Sequence, residues 1–555
     1  MTSTHDGGAA RAADKASPSL GRATAYMTLG TVLSRVTGLL RIAAILAALG
    51  ILETGLADPY NYANTAPNII YELVLGGILT SVFVPVFVEL LEKEGREGAW
   101  AVASAILNVA LAVLLAITVV GIVAAPWIAS FYGGDGTGER AAAQHDVLTF
   151  LLRLFIPQVI FYGLAAITAG LLNAHKRFGA PMYTPVLNNL AVIAVFVAFR
   201  AAYGGGVTAT TVTDAQLWIL GLGTTAGVAL MAVAQIPFLR GLGRYRVTFS
   251  LRHPALRKLA RLSVFVVGYV VANQIGYLVV QRLASYDEGA YSAYVNAFTF
   301  FMLPHGLFAV SVFTALLPGL SEHAVNERWT EFRERLSVGV RATALLVVPA
   351  AVGYLVLGEA IVRVIAERGV MTHRSTELVA AVLRLFVLGL PAFSLFQLFL
   401  RAFYALQDTR TPFLVNCAAV ALNTAVNVPM FVWLGVEGLA AGHALAYVFG
   451  ATLLARALSR RVGGLDGRRV AVAVARIGAA AAGMGAVVWA LWRVLSDALG
   501  TSLVAQTLVV GVPVVAGVAV YLGLAVALRV EELGYVRSLL TRRLRGASGG
   551  AAPRR

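Results

Sequence analysis

Apolar residues in this chain come in runs of about 20 or more, separated by short polar connections, without the period-two alternation of a barrel strand. Inside a bilayer each backbone polar group needs an internal partner, so runs of that length predict membrane-spanning helices. A first set lies at 24–50, 60–91, 99–131, 145–173, 181–203 and 215–239. A second set lies at 262–285, 291–320, 337–366, 377–406, 412–435 and 438–459, and two further runs at 470–494 and 502–529 follow it. The expectation is an all-α polytopic membrane protein of about fourteen transmembrane helices.

Composition strengthens this reading. The chain is 59% hydrophobic and 13% charged, with a mean hydropathy of +0.78, whereas soluble domains carry roughly 25% charged residues. Its net charge of +16 sits in alternate connections rather than in one patch, which argues against a nucleic-acid partner. The basic connections hold Lys93 and Arg96, then Lys176 and Arg177, the segment 240–261, Arg328, Arg333 and Arg335, Arg410, and finally Arg460, Arg461, Arg468 and Arg469. Connections 51–59, 286–290 and 434–437 lack Lys and Arg, while Arg140, Arg200, Arg368 and Arg374 break the pattern. Positive charge marks the cytoplasmic side, so both termini are expected there and the number of spans is even. The single Cys417 permits no intrachain disulfide.

An internal repeat divides the chain. LLRLFIP at 151–157 and LLNAHKRFGAPMYTPVLNN at 171–189 resemble VLRLFVLGLP at 382–391 and AFYALQDTRTPFLVNCAAVALN at 402–423. Each half sets a polar turn before a proline, Pro181 or Pro412, at the same step. The expected organisation is two pseudo-symmetric six-helix lobes plus two C-terminal helices. The boundaries are a disordered cytoplasmic tail at 1–22, lobes at 23–240 and 262–460, and a basic cytoplasmic linker at 241–261. The last two spans occupy 470–530, and a basic tail 531–555.

Chemistry is sparse. The Gly-rich GGDGTGER at 133–140 neither follows a strand nor opens a Walker-type lysine, so it reads as an exterior loop and no nucleotide or other cofactor is expected. No nucleophile–base pair, metal cluster or carboxylate pair stands out, and the chain does not read as an enzyme. Arg35 and Arg41, by contrast, lie in the first apolar run, where an unpaired charge costs roughly 2.5–3.5 kcal/mol at the bilayer centre. They point about 120° apart on an ideal helix, and a kink at Gly38 would turn both toward one cavity. The arginine fork suits phosphate oxygens. The alternatives are snorkelling, or ion pairs with Glu53, Asp58 or Glu72. Asn423 and Asn427, four residues apart, fit interhelical hydrogen bonding or an ion site, and Asn273 and Gln274 fit a cavity wall or packing. Arg282 and His443 read as local hydrogen-bond partners, and the Gly/Ala run 478–485 as a close-packing surface.

Several motifs carry a resemblance to a known family. SRVTGLLRIAAILAALG at 34–50, ADPYNYANTAPNIIYELVLGGILTSVFVPVFVE at 57–89, NAHKRFGAPMYTPVLNN at 173–189, LPHGLFAVSVFTALLPGLSEH at 303–323 and FYALQDTRTPF at 403–413 resemble the MurJ (MviN) family of lipid II flippases in the MOP superfamily. The resemblance implies movement of the undecaprenyl-pyrophosphate-linked peptidoglycan precursor from the inner to the outer leaflet of the bacterial inner membrane. It also implies peptidoglycan synthases as neighbours and a groove for the lipid tail in the last two spans. Arg35 and Arg41 fall on the family's pyrophosphate-binding positions, and Asp58 on an acidic position able to orient Arg41. The substrate-facing set is completed by Asn68, Tyr71, Asn273 and Thr299. The chain departs from the family at Tyr71 and Glu72, where a basic pair is usual after Pro67–Asn68, and at Thr299, where many members carry arginine. Those departures leave room for another substrate, a different lipid-linked glycan or a drug, and for a non-transporting scaffold of cell-wall enzymes.

Overall fold

The computed structural model describes residues 17–76, 83–133, 137–249 and 254–534. The first lobe consists of α1 (Ser17–Leu49), α2 (Ala57–Tyr71), α3 (Val84–Lys93), α4 (Gly95–Tyr132), α5 (Glu139–Phe155), α6 (Gln158–Ala174), α7 (Gly179–Tyr203) and α8 (Asp214–Val233). The second consists of α9 (Pro254–Ala284), α10 (Ala290–Pro304), α11 (Val310–Val325), α12 (Trp329–Ala366), α13 (His373–Leu388), α14 (Leu390–Ala405), α15 (Arg410–Leu434) and α16 (Val436–Val462). Two helices, α17 (Gly467–Ala498) and α18 (Leu503–Ala527), follow.

Among the described residues 12 helices are long and apolar enough to cross a membrane, and counting the pair α13–α14, bent by 49°, gives 13. The remaining expected span, 60–91, runs through residues 77–82, which lie outside the described residues. Exposed apolar side chains such as Trp433 and Val515 cover the outside of the bundle, as lipid contact requires.

The two lobes repeat each other helix by helix. α2 and α10 are both 15 residues long, and each runs into a five-residue π-helical turn, Glu72–Gly76 or His305–Ala309. α4 and α12 each span 38 residues, and α7 and α15 each span 25. The motifs 151–157 and 382–391 fall on matching breaks, between α5 and α6 and between α13 and α14. α6 and α14 end alike. Lys176 and Gln407 take positive φ of 58° and 57°, and the N–H of the residue after each reaches back to Leu172 or Phe403. This is a Schellman end, with Lys and Gln in the place glycine usually fills.

Three expectations about the connections change. α1 starts at Ser17, so the end of the expected 1–22 tail is helical, and α9 starts at Pro254 inside the expected 241–261 linker. Residues 244–249 lie against α4, where Asn108 donates to the carbonyls of Arg246 and Thr248 at 3.2 and 2.9 Å. Of the expected 531–555 tail, the described part is anchored, because buried Glu532 pairs with buried Arg341 of α12 and Glu531 meets Arg469 at 2.9 Å. α17 and α18 pack on each other and on α12. A Cβ on Gly483 would stand 2.7 Å from Leu524, and one on Gly485 2.7 Å from Val352, so the small-residue face is used for close packing.

Candidate substrate cavity and inter-lobe gate

α1 is one unbroken helix, and its two arginines meet different surroundings. Arg35 faces the second lobe, where its Nη2 stands 3.1 Å from the place a Cβ on Gly306 would take. Arg41 turns into the first lobe, its Nε buried without a hydrogen bond and its charge acting on the hydroxyls of Tyr60 and Tyr162. Among the described residues neither has a carboxylate partner.

A third guanidinium joins Arg35. Arg401 of α14 lies over the Phe313 ring at 5.5 Å, with its Nε buried and unbonded. Arg401 and Arg35 both act electrostatically on His305, whose ring pairs with Ser394 Oγ at 3.0 Å. Arg401 escaped the sequence reading although it sits two residues before the quoted FYALQDTRTPF. The signal was there: an arginine in the apolar run LFQLFLRAF is as costly to bury as Arg35.

Between the lobes lies a cavity of about 350 Å³. α2 contributes Asn68 and the π-helical turn after it Glu72, α9 contributes Asn273, α15 contributes Asn416 and Asn423, and α16 contributes His443. The expected residues Asn68, Asn273 and Asn423 are thus brought together. Tyr71 and Thr299 are not: the Tyr71 ring lies 6.0 Å from Tyr162, and the Thr299 hydroxyl donates to its own helix at the Val295 carbonyl, 2.9 Å away. Asn423 and Asn427 hydrogen-bond each other along α15 at 3.3 and 3.1 Å rather than bridging helices. Asn427 still fixes the neighbour, since a Cβ on Gly442 of α16 would come within 2.1 Å of its Oδ1. His443 stands among the rings of Phe298, Phe301, Phe386, Phe393 and Tyr447 with its Nε2 buried and unbonded, not the hydrogen-bond partner expected. A larger cavity, about 720 Å³, opens beside Arg341, Arg468, Arg469 and Arg476, away from the seam between the lobes.

One end of that seam is sealed. Asp58, at the start of α2, accepts from the N–H groups of Gly289 and Ser292 at 2.7 and 2.8 Å and from the Ser292 hydroxyl at 2.6 Å. A carboxylate of one lobe thereby caps α10 of the other. This corrects the expectation that Asp58 orients Arg41. Glu53 caps α13 in the same manner, accepting from Thr372 N–H at 2.9 Å and the Ser375 hydroxyl at 2.7 Å, while its other oxygen takes the Ile51 N–H at 2.7 Å. Burial pushes the Glu53 pKa up, but hydrogen bonds from Thr372, Ser375 and Ile51 outweigh it and hold the group below the ordinary glutamate value. Capping carboxylates also meet the positive end of the helix dipole.

Around these caps the Tyr62 ring stacks on Tyr291 at 4.0 Å and on Tyr132 at 4.7 Å. Arg140 bridges to Glu288 at 2.6 Å. Val370 N–H donates to the Ala47 carbonyl at 3.1 Å, a contact that needs Gly369, because a Cβ there would lie 2.1 Å from the same oxygen.

Two pseudo-symmetric helical lobes, a polar cavity on their seam and a seal at one end define a polytopic membrane protein of transporter architecture. In fold, 91% of the chain superposes on 98% of a structure titled "Lipid II flippase MurJ, inward closed conformation" with a TM-score of 0.73 and 23% identity. A multidrug resistance MATE family transporter of the MOP superfamily, in an inward-facing conformation, matches 80% of this chain and 98% of its own at a TM-score of 0.64 and 11% identity. These likenesses concern the fold. The sequence profile described as "Lipid II flippase MurJ" matches residues 46–510, and the chain belongs to this family. A "Probable lipid II flippase MurJ" of Rhizobium meliloti is 32% identical over 433 residues, 77% of this chain and 79% of the relative. A "Lipid II flippase MurJ" of Burkholderia cenocepacia is 27% identical over 440 residues, 78% of this chain and 82% of the relative.

Proposed function

We propose that this protein flips lipid II, the polyprenyl-diphosphate-linked peptidoglycan precursor, from the inner to the outer leaflet of the bacterial inner membrane by alternating access. The reading rests above all on Arg35, Arg41 and Arg401, three guanidiniums in apolar helices without a carboxylate partner among the described residues. A cation that is expensive to bury and left unpaired is a site for an anion that arrives. A diphosphate offers the oxygens that match the guanidinium fork. Arg401 supplies a cation in the second lobe, where Thr299 stands in place of an arginine.

The sealed end is built from loops around 50–58 and 285–292, which hold no Lys or Arg, and 367–375, which holds Arg368 and Arg374; it is less basic than the opposite end, and we assign it to the outer face. The basic end then faces the cytoplasm with both termini. In this state the head group enters from the inner leaflet, and opening of the Asp58 and Glu53 caps releases it outward while the tail stays in lipid.

Depletion of the protein in its native cell tests the proposal, with an external enzyme that cleaves only precursor exposed on the outer leaflet. Protected precursor accumulates if the reading holds, and wild-type protein reverses it while Arg35→Ala with Arg401→Ala does not. Unchanged exposure in depleted cells would refute it.

A further inference from the structure

We infer that Glu72, with the carboxamides facing it, forms a subsite for an ammonium group on the peptide part of the substrate head, apart from the arginines that meet the diphosphate. The inference rests on the proposed flippase function and adds a second recognition element to it.

Glu72 opens the π-helical turn at the end of α2 and lines the 350 Å³ inter-lobe cavity. Among the described residues its carboxylate has neither a hydrogen bond nor an ion pair. Among the described residues the lining includes no Lys or Arg, and its one histidine, His443, is enclosed by aromatic rings. A carboxylate at membrane depth without a partner is expensive, so its counter-charge comes with what enters.

The rest of the wall describes what that is. Asn416 is 2% exposed, and its Nδ2 is buried without a partner. Asn68, Asn273 and Asn423 add carboxamides from three different helices. At about 350 Å³ the cavity is many times the roughly 30 Å³ share of one water. Tyr277, Tyr447 and Phe298 also line it. Carboxylate, carboxamides and aromatic rings together fit an aliphatic ammonium attached to peptide amides. The π-helical turns place Glu72 in the first lobe where His305, beside Arg35, stands in the second, so opposite charges of the cargo have separate seats.

The test uses the full-length protein in nanodiscs and two diphosphate-linked disaccharide-pentapeptide lipids, one with the free side-chain amine in its peptide and one N-acetylated there. Wild-type protein is expected to bind the free-amine lipid at least about tenfold more tightly. Glu72→Gln is expected to reduce that preference to within about twofold, and Glu72→Asp to restore part of it. Equal wild-type affinities overturn the inference, as does a preference that persists in Glu72→Gln. A sodium-dependent gain in affinity for both lipids, lost in Glu72→Gln, also overturns it by assigning the carboxylate to an inorganic ion. Failure of the wild type to bind either lipid counts instead against the flippase reading.

Discussion

Asp58 and Ser292 are joined twice across the seam between the lobes, through the Ser292 N–H at 2.8 Å and its hydroxyl at 2.6 Å. Together with the Gly289 N–H, these bonds make the N-terminus of α10 depend on a carboxylate from the opposite lobe. The cap therefore exists only while the lobes are together. Helix capping, which elsewhere stabilises a fold, here stabilises one conformation of it.

Asp58→Ala removes three charge-assisted hydrogen bonds from the sealed state and none that the parted lobes would keep. Such bonds contribute about 1–3 kcal/mol, enough to shift the closed-to-open ratio by about tenfold or more. Spin labels at Thr210 and Trp433, both exposed and on opposite lobes, report this once Cys417 is replaced by serine. A longer distance should gain population in the variant; an unchanged distribution counts against the trans cap.

Glu53 gives the seal a pH dependence of known sign. Its pKa in the closed state lies below the ordinary value, so its contribution is fully present above the open-state pKa of about 4.3 and is lost as pH falls through the lowered one. The same labels should show a constant Glu53 contribution between pH 5 and 8 and Glu53-dependent opening in more acid solution, opposed by Asp58, whose pKa burial raises to about 6 in the closed state. In Glu53→Gln the acid-induced step should shrink. Opening that grows equally in both proteins would assign it to other groups.

Arg35 and Arg401 should separate function from stability. Each is a membrane-embedded cation without a carboxylate partner among the described residues, so Arg35→Ala or Arg401→Ala relieves desolvation and should leave the melting temperature in detergent unchanged or raised. Growth of a strain that depends on this protein should nevertheless fail, and affinity for the diphosphate lipid should fall by about tenfold or more. A drop in melting temperature that parallels the loss of growth would make these arginines structural.

The architecture was legible because its signals are local. Apolar run length marked the spans, and the paired motifs at 151–157 and 382–391 marked the repeat, though not the helix breaks they coincide with. The Schellman ends at Lys176 and Gln407 carry no glycine to announce them. Contacts between lobes were the illegible part. Asp58 is a short carboxylate near Arg41 in sequence order, yet its partners lie more than two hundred residues away, and only packing of α2 against α10 reveals them. Arg401 was hidden by a neighbouring motif. Glu72 registered as a missing arginine before the cavity gave it a place of its own. The basic segment 241–261 read as linker from its charge, although its second half continues as α9.

Arg341 and Glu532 behave in the opposite way to the unpaired arginines. Their side chains are 5% and 4% exposed and paired with each other, and Arg341 Nε also donates to the Ser337 carbonyl at 3.3 Å. Removing Arg341 strands the Glu532 charge in a buried site, which costs about 3–5 kcal/mol, and removing Glu532 leaves Arg341 only the exposed Glu531, 3.8 Å away, among the described residues. Arg341→Met and Glu532→Leu should each lower the melting temperature sharply, and release the chain after α18 from α12 and α17. Because much of that loss is the stranded charge rather than the lost attraction, the double variant should recover most of the stability of the wild type. Thermal unfolding in detergent, followed by tryptophan fluorescence, distinguishes the cases. Additive losses in the double variant would mean that the pair contributes through packing at each site separately, and the C-terminal anchor would then rest on Glu531 and Arg469 at the surface.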